Sequence, residues 1–276
     1  MGGEITEVFV LSTWRVLKPY RGNATLELLR EHLRRTEGYL TLCSTPNERV
    51  RTLFSPHGFQ PLPRKEHSVV WVLLNLRKLF SVGFQPLARL TADPLAALLT
   101  FFQRQKLRSQ KKSLSVRRIE SAGKEFDLLW QKKRVSFPNT AVRDRQAVEW
   151  FCFLNPFYPK VIFGVYEADE LLAYAVFQEA VYRGLSILEG LDYWGETDRT
   201  AVSAFLEKAV SFALERKLEG LSFPGLSVDL EKELRTLFFL KKRTCARNEY
   251  YKPIEGKILL FPTDSYFSYA EGDIAI

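Results

Sequence analysis

The residues best suited to chemistry lie in a basic turn, Tyr20-Arg21-Gly22, between a strand-like run and an amphipathic helix. The free backbone N–H groups at a helix N-terminus, with the positive end of the helix dipole behind them, can bind an anion such as a diphosphate. Arg21 would add a charge-assisted hydrogen bond. The same residues also fit an ordinary strand-to-helix turn in which Asn23 or Thr25 caps the helix.

Acidic residues near this turn are candidates for a general base. Glu4 and Glu7 precede the turn on the predicted first strand, where either could act through a water molecule. Because they are three residues apart, at most one of them faces a cleft, and a solvated strand edge explains them as well. Glu189 and Asp192 occupy the corresponding place on a later strand, with the same two interpretations.

Other kinds of reactive site find no support in the sequence. No Gly-x-Ser-x-Gly, Walker A or His-Glu-x-x-His motif occurs, so hydrolase, NTPase and zinc-protease functions are not indicated. The three cysteines, Cys43, Cys152 and Cys245, are far apart and have no histidine at ligand spacing. This pattern predicts that the protein has no metal site and lies in a reducing, cytoplasmic compartment.

The overall composition is that of a soluble globular protein, with 276 residues, 46% hydrophobic and 26% charged. No apolar run approaches the roughly 18 residues of a membrane-spanning helix, so no membrane association is predicted. The net charge of +8 is uneven, since residues 1–112 carry 18 Lys and Arg against 8 Asp and Glu. Such a basic segment indicates a phosphate-bearing partner or a solvated basic face. Nucleic acid is not predicted as the partner, because no RNA-binding motif accompanies the charge.

Hydrophobic periodicity predicts alternating strands and helices along the whole chain. In the first part we predict strands at residues 4–17, 39–45 and 68–80 and helices at 23–38, 46–58 and 94–108. In the second part we predict strands at 115–121, 185–194 and 218–225, hairpins at 160–180 and 248–262, and helices at 124–134, 143–154, 198–217 and 228–240. This order favours the α/β class, with mixed sheets covered by helices, and a domain boundary near residue 112.

A weak internal repeat connects the two parts. Strand, long helix, strand, short helix, strand describes both residues 4–75 and residues 185–262. We interpret this as two copies of one fold, over residues 1–112 and 113–276. The first copy is incomplete at its N-terminus, and a truncated chain or a second copy that completes the sheet would explain the missing strands.

Two stretches resemble the acyl-CoA-binding half of the GNAT N-acetyltransferase superfamily: "VLKPYRGNATLELLREHL" and "PNERVRTLFSPHGF". In that family a strand leads into Arg-Gly-x-Gly-x-Gly/Ala, whose amides hold the CoA pyrophosphate at the start of a helix. The second stretch matches the family spacing of Asn, a small apolar residue, Tyr and Gly-Phe. The resemblance implies two GNAT-like acyl-CoA N-acyltransferase domains, with acetyl-CoA or another acyl-CoA as co-substrate. The residues it assigns to the cofactor are Arg21, Gly22, Asn23, Ala24, Thr25, Leu26 and, for the pantetheine arm, Asn47.

The chain also departs from the family pattern. Ala24 stands where the family has its second glycine, and Leu26 stands where the family has glycine or alanine and could crowd the phosphates. The family's tyrosine, often the acid that protonates the leaving thiolate, is Phe54 here, and phenylalanine cannot donate a proton.

The second copy has the family's length and element order. Its helix beginning Arg143-Asp144 resembles the early region of tandem GNAT proteins. Its own phosphate turn carries Glu196 and Asp198, which would repel a pyrophosphate but can cap a helix. We therefore expect this copy to be a structural half or part of the acceptor site.

Taken together, the resemblance predicts transfer of an acyl group, with acetyl the first candidate, from acyl-CoA to a small-molecule or peptide amine. The alternative is a non-catalytic or truncated GNAT-like scaffold.

Overall fold

The computed structural model describes residues 8–11, 23–43, 48–62, 68–74, 98, 101, 105, 107, 114–137, 140–154, 159–237, 240–243, 250–254 and 266. These residues form a mixed α/β structure with two sheets, both of which contain parallel and antiparallel strand pairs. The α/β class predicted from the sequence is confirmed. None of the helices in these ranges is long and apolar enough to cross a membrane.

The small sheet has four strands in the order β1-β2-β11-β3. Strands β1 and β2 are parallel, and β11 is antiparallel to both β2 and β3. Its elements are β1 (Val8–Leu11), α1 (Asn23–Arg35), β2 (Leu40–Cys43), α2 (Glu48–Phe54), β3 (Gln60–Pro61) and β11 (Tyr250–Lys252).

The large sheet has seven strands in the order β10-β4-β9-β8-β7-β6-β5. Only β8 and β9 pair in parallel among its described strands. Its strands are β4 (Ser68–Leu73), β5 (Leu114–Ile119), β6 (Lys160–Glu167), β7 (Glu170–Tyr182), β8 (Leu185–Gly195), β9 (Gly220–Pro224) and β10 (Leu240–Arg243). Its helices are α3 (Lys124–Lys133), α4 (Arg145–Cys152), α5 (Arg199–Glu215) and α6 (Val228–Leu237).

The main core lies between the large sheet and helix α5. Strands β6, β7 and β8 are rich in apolar residues and largely buried, as expected for strands covered on both faces. Helix α5 carries buried apolar side chains, mainly Ala, Val and Phe, around most of its circumference. Such a pattern is typical of a helix that is covered on more than one side. The rings of Phe177, Phe205 and Phe223 pack together with centroids 5.3–6.3 Å apart. These rings connect strands β7 and β9 to the first half of helix α5.

Each sheet receives one strand from the other part of the chain. Strand β4 lies between β9 and β10, and β11 lies between β2 and β3. Val70 and Val72 of β4 are fully buried in the large sheet. The Ser68 hydroxyl donates to Glu231 Oε1 on α6 at 2.6 Å. In the small sheet the Tyr251 hydroxyl and Gln60 Oε1 lie 2.9 Å apart. The two sheets are therefore coupled by a reciprocal exchange of strands.

Most predicted elements are confirmed within the described residues. Helix α1 ends just before Gly38, whose φ of +81° is left-handed, as the predicted stop requires. The hairpin of β6 and β7 turns at the predicted acidic residues, with Ala168 at φ +53°. Strand β10 was missed, since its first residue, Leu240, was predicted to end helix α6. The boundary at residue 112 stays a prediction.

Candidate functional site

The predicted phosphate turn is only partly within the described residues. Helix α1 begins at Asn23, and Ala24 and Thr25 follow in its first turn. Leu26 comes next and is partly buried. Five of the predicted site residues lie outside the described ranges: Glu4, Glu7, Arg21, Gly22 and Asn47.

Helix α1 connects two parallel strands of the small sheet, β1 and β2. In such a β-α-β unit the N-terminus of the helix faces the carboxyl end of the first strand, where open α/β sheets bind their ligands. The first turn of α1 contains no acidic residue, and its last turn carries His32, Arg34 and Arg35. No acidic side chain in the first turn of α1 therefore offsets the positive end of the helix dipole.

The residue at the position of the family's tyrosine belongs to the core of the small sheet. Phe54 is fully buried. Its ring stacks on Phe59 at 4.4 Å and meets the edge of Tyr250 at 5.4 Å. Gly58 between the two phenylalanines adopts φ +81° and ends the helical segment. Phe54 thus provides packing and no proton, as its chemistry requires.

Strand β8 of the large sheet carries a bulge and separates from its parallel neighbour. Val176 of β7 pairs with Asp192 while Phe177 pairs with Gly190, so Leu191 is the extra residue. Strands β8 and β9 pair only from Ile187 to Glu189 of β8. Beyond that point β8 continues to Gly195 beside β7, so the two parallel strands diverge.

The helix that follows β8 is closed at its N-terminus by its own acid. Asp198 accepts hydrogen bonds from the backbone N–H groups of Thr200 at 2.8 Å and Ala201 at 3.2 Å. Glu196 of the same turn forms an ion pair with Lys133 at 2.7 Å. Asp198 is therefore the N-cap of α5 and occupies the amides that an anion would need.

Asp192, one of the candidate bases, forms a buried ion pair with Arg143. Arg143 Nε donates to Asp192 Oδ2 at 2.9 Å, and Nη2 donates to Oδ1 at 3.3 Å. The side chains of Arg143 and Asp192 are each 4% exposed. Both oxygens of Asp192 are thus used by one guanidinium, which is a poor arrangement for a general base.

Further contacts hold the guanidinium of Arg143 in place. Its Nη1 donates to Thr140 Oγ1 at 2.5 Å and to the Ala141 carbonyl at 2.9 Å. Its plane lies over the rings of Trp194, at 5.0 Å, and Tyr266, at 4.8 Å. The sequence offered one signal of this site, the Arg143-Asp144 pair before a helix, but it gave no indication that Arg143 reaches β8.

A pocket of about 130 Å³ lies between helix α4 and strands β7 and β8. Burial raises the pKa of the Cys152 thiol in its wall, with a further contribution from Asp192. Burial also lowers the pKa of Lys160, whose ammonium lies 4.4 Å from the centre of the Phe151 ring. The pocket was not predicted from the sequence. Its apolar wall is formed by Val142, Ala147, Val148, Trp150, Phe151 and Val176.

The sequence predicted widely separated cysteines and no metal site. Cys43 and Cys152 are both buried. In the part of the chain that the structure describes, no group of three or more His, Cys, Asp or Glu side chains is placed to hold a metal ion.

Comparisons with known proteins give a likeness of fold. No protein-family model matches the sequence, and no curated protein is significantly similar to it. A GCN5-related N-acetyltransferase from Anabaena variabilis has a similar structure, with a TM-score of 0.52 and 13% identity over 84% of this chain and 51% of that one. N-myristoyltransferase from Saccharomyces cerevisiae with bound myristoyl-CoA has a TM-score of 0.51 and 15% identity over 86% of this chain and 60% of that one.

A second structure of that yeast enzyme, with bound myristoyl-CoA and inhibitors, has a TM-score of 0.52 and covers 95% of this chain and 64% of the enzyme. The chain thus spans about half to two thirds of the length of these proteins. At identities of 13–15% the likeness concerns the course of the backbone and not the site residues. The chain has the fold of the GCN5-related N-acetyltransferases.

Proposed function

We propose that the protein transfers an acyl group from acyl-CoA to an amine and binds the cofactor's diphosphate at the N-terminus of α1. The observation that carries this proposal is the contrast between two equivalent helices. Helix α5 is capped by Asp198, whereas the first turn of α1 has no acid and follows the basic turn at Arg21. A diphosphate is therefore favoured at the start of α1 and disfavoured at the start of α5.

The proposal includes a tandem arrangement of two GNAT-like copies. The elements β1-α1-β2-α2-β3-β4 and β8-α5-β9-α6-β10-β11 follow the same order, and the last strand of each set lies in the other sheet. We assign the copies to residues 1–112 and 113–276. Whether a second molecule pairs with the edge of the small sheet stays a prediction.

The chemistry proposed for this site is direct aminolysis of the thioester. The amine nitrogen attacks the thioester carbonyl, the new C–N bond forms, the C–S bond breaks, and CoA leaves as the thiolate. Arg21 and the amides of residues 22–26 would hold the diphosphate, and Asn47 the pantetheine arm. Glu4 or Glu7 would accept the amine proton through water. Since Phe54 cannot protonate the thiolate, most of the rate would come from positioning the two reactants.

The comparisons support acyl-CoA as the class of co-substrate. In the yeast N-myristoyltransferase structure the bound molecule is myristoyl-CoA, so the same backbone fold holds an acyl-CoA in that protein. Acetyl-CoA is the first acyl donor to test because the resemblance of the phosphate turn is to acetyltransferases. A small-molecule or peptide amine in the cytoplasm is the proposed acceptor.

The test is release of the CoA thiol from acetyl-CoA in the presence of a panel of small amines and N-terminal peptides. We expect amine-dependent release, lost in Arg21→Glu. Lys208→Glu is the matched control, because Lys208 is exposed on α5 and the substitution changes the net charge equally. Equal rates in the wild type and Arg21→Glu would contradict the proposed site.

A second candidate function is a non-catalytic acyl-CoA-binding protein. The burial of Phe54 at the position of the usual acid favours it. Saturable binding of acetyl-CoA without thiol release for any amine in the panel would support this candidate over the enzyme.

A further inference from the structure

The pocket beside helix α4 is separate from the proposed diphosphate site and is built from other elements. Trp150 and Val142, with exposed fractions of 62% and 37%, lie at its mouth. Val148, Cys152 and Val176 are buried further in. A concave, mostly apolar site with a few polar groups at its base is the usual form of a small-molecule site.

The polar groups at the base of the pocket restrict the charge of its ligand. Arg143 and Asp192 both line the pocket, and each compensates the other through two hydrogen bonds. A carboxylate or an ammonium entering the pocket would lose its hydration, and the two charged residues of the lining, Arg143 and Asp192, already neutralise each other. Lys160 is not among the lining residues. The pocket is therefore suited to an uncharged group.

The size of the pocket restricts the ligand further. Its volume is about 130 Å³, and an apolar cavity of about 150 Å³ lined by aliphatic and aromatic side chains binds benzene. The Phe151 ring and the exposed Trp150 indole offer aromatic faces for edge or offset contacts. These dimensions fit one phenyl ring.

The thiol in the pocket wall does not change this interpretation. Burial raises the pKa of Cys152, so the thiol is neutral near pH 7 and is a weak nucleophile. Cys152 thus behaves as part of the apolar wall, and binding is reversible.

We propose that the pocket lined by α4, β7 and β8 binds an uncharged, phenyl-sized group of a small molecule. This site is independent of the acyl-CoA proposal, since none of its residues belongs to the α1 turn.

The test compares three molecules of equal size and different charge: benzyl alcohol, benzoate and benzylammonium. Isothermal titration and ligand-observed NMR at pH 7 measure binding to the full chain without CoA. We expect saturable binding of benzyl alcohol, with the benzoate and benzylammonium affinities at least about tenfold weaker.

Two variants locate the binding. Ala147→Leu fills the pocket from helix α4 and is expected to weaken the affinity for benzyl alcohol at least about tenfold. Gln146→Leu adds the same kind of side chain at an exposed neighbouring position of the helix and is expected to leave the affinity unchanged. Circular dichroism checks that each variant folds. If Ala147→Leu does not fold, Val142→Trp, which narrows the mouth of the pocket, is used in its place.

Three results would overturn the proposal. They are no binding of benzyl alcohol to the wild type, equal affinity for either charged analogue, and undiminished binding in a folded pocket-filling variant. Because no CoA is present, the outcome is independent of whether acyl transfer occurs.

Discussion

At the scale of single residues, Arg143 is held by contacts on several sides. Its guanidinium meets a carboxylate, a threonine hydroxyl, a backbone carbonyl and two aromatic rings. Such a network connects the segment before α4 with strand β8 and with Tyr266 near the C-terminus. A buried pair of this kind fixes geometry more than it adds net stability, because desolvation offsets much of the attraction.

We predict that Arg143→Ala lowers the free energy of unfolding by about 3–5 kcal/mol, because it leaves Asp192 buried without its cation. Urea denaturation followed by circular dichroism measures the change. The paired variant Arg143→Met/Asp192→Leu removes both charges and should recover much of the loss. A single variant as stable as the wild type, or a double variant less stable than Arg143→Ala, would contradict the role of the pair.

Residue types alone could predict part of this chemistry. The capping ability of an acid near the start of α5 was predicted and is confirmed for Asp198. The partner of Asp192 could not be predicted, because Arg143 is 49 residues away in sequence and only the tertiary fold brings them together. Asp192 therefore looked like a candidate base, although both of its oxygens accept from a guanidinium.

Among the elements, the two long β-α-β helices differ most at their first turns. Asp198 satisfies the N–H groups of Thr200 and Ala201 and places a negative charge at the positive end of α5. Helix α1 has no acid in its first turn. The start of α5 is thus closed by its own N-cap, whereas the start of α1 is the proposed anion site.

We predict that Asp198→Ala lowers the free energy of unfolding by about 1 kcal/mol, since two N–H groups lose their acceptor. Asp198→Asn keeps an acceptor at the N-cap without the charge, so its cost should be only a few tenths of a kcal/mol. Thermal denaturation of the three proteins checks both values. A loss in Asp198→Asn equal to that in Asp198→Ala would show that the charge, and not the cap, stabilises the helix.

The sequence predicted the helices and long strands better than their ends. Periodic apolar residues, Gly38 and the acidic hairpin turn each carry a local signal, and the structure confirms these elements. Strand β10 has no such signal, because Leu240 continues the apolar pattern of α6. The bulge at Leu191 was also missed, since it depends on how β7 pairs with β8.

For the whole molecule, the exchange of β4 and β11 is the defining feature of the fold. The similar order of elements in the two parts of the chain could be read from the sequence. The sequence could not show which sheet receives the last strand of each part, because the pairing of Val70 with Phe223 joins residues far apart in the chain. Local patterns contain no information about such a pairing.

We predict that Val70→Ala, a truncation in the exchanged strand β4, lowers the free energy of unfolding by about 2 kcal/mol, because Val70 is fully buried. Tryptophan fluorescence and circular dichroism should report the same urea midpoint if the strand couples the two sheets. Val181→Ala on β7 is the control, since Val181 is 76% exposed and should change stability by less than about 0.5 kcal/mol. A Val70→Ala variant as stable as the control would show that β4 does not hold the large sheet together.

The central proposal is that the start of α1 binds the linked phosphates of a cofactor. Isothermal titration of acetyl-CoA and of acetyl-pantetheine, which lacks the diphosphate, tests it most directly. The account predicts that acetyl-CoA binds at least about tenfold more tightly, and that Arg21→Glu removes this difference while Lys208→Glu retains it. Equal affinity for the two molecules in the wild-type protein, or an undiminished preference for acetyl-CoA in Arg21→Glu, would contradict it.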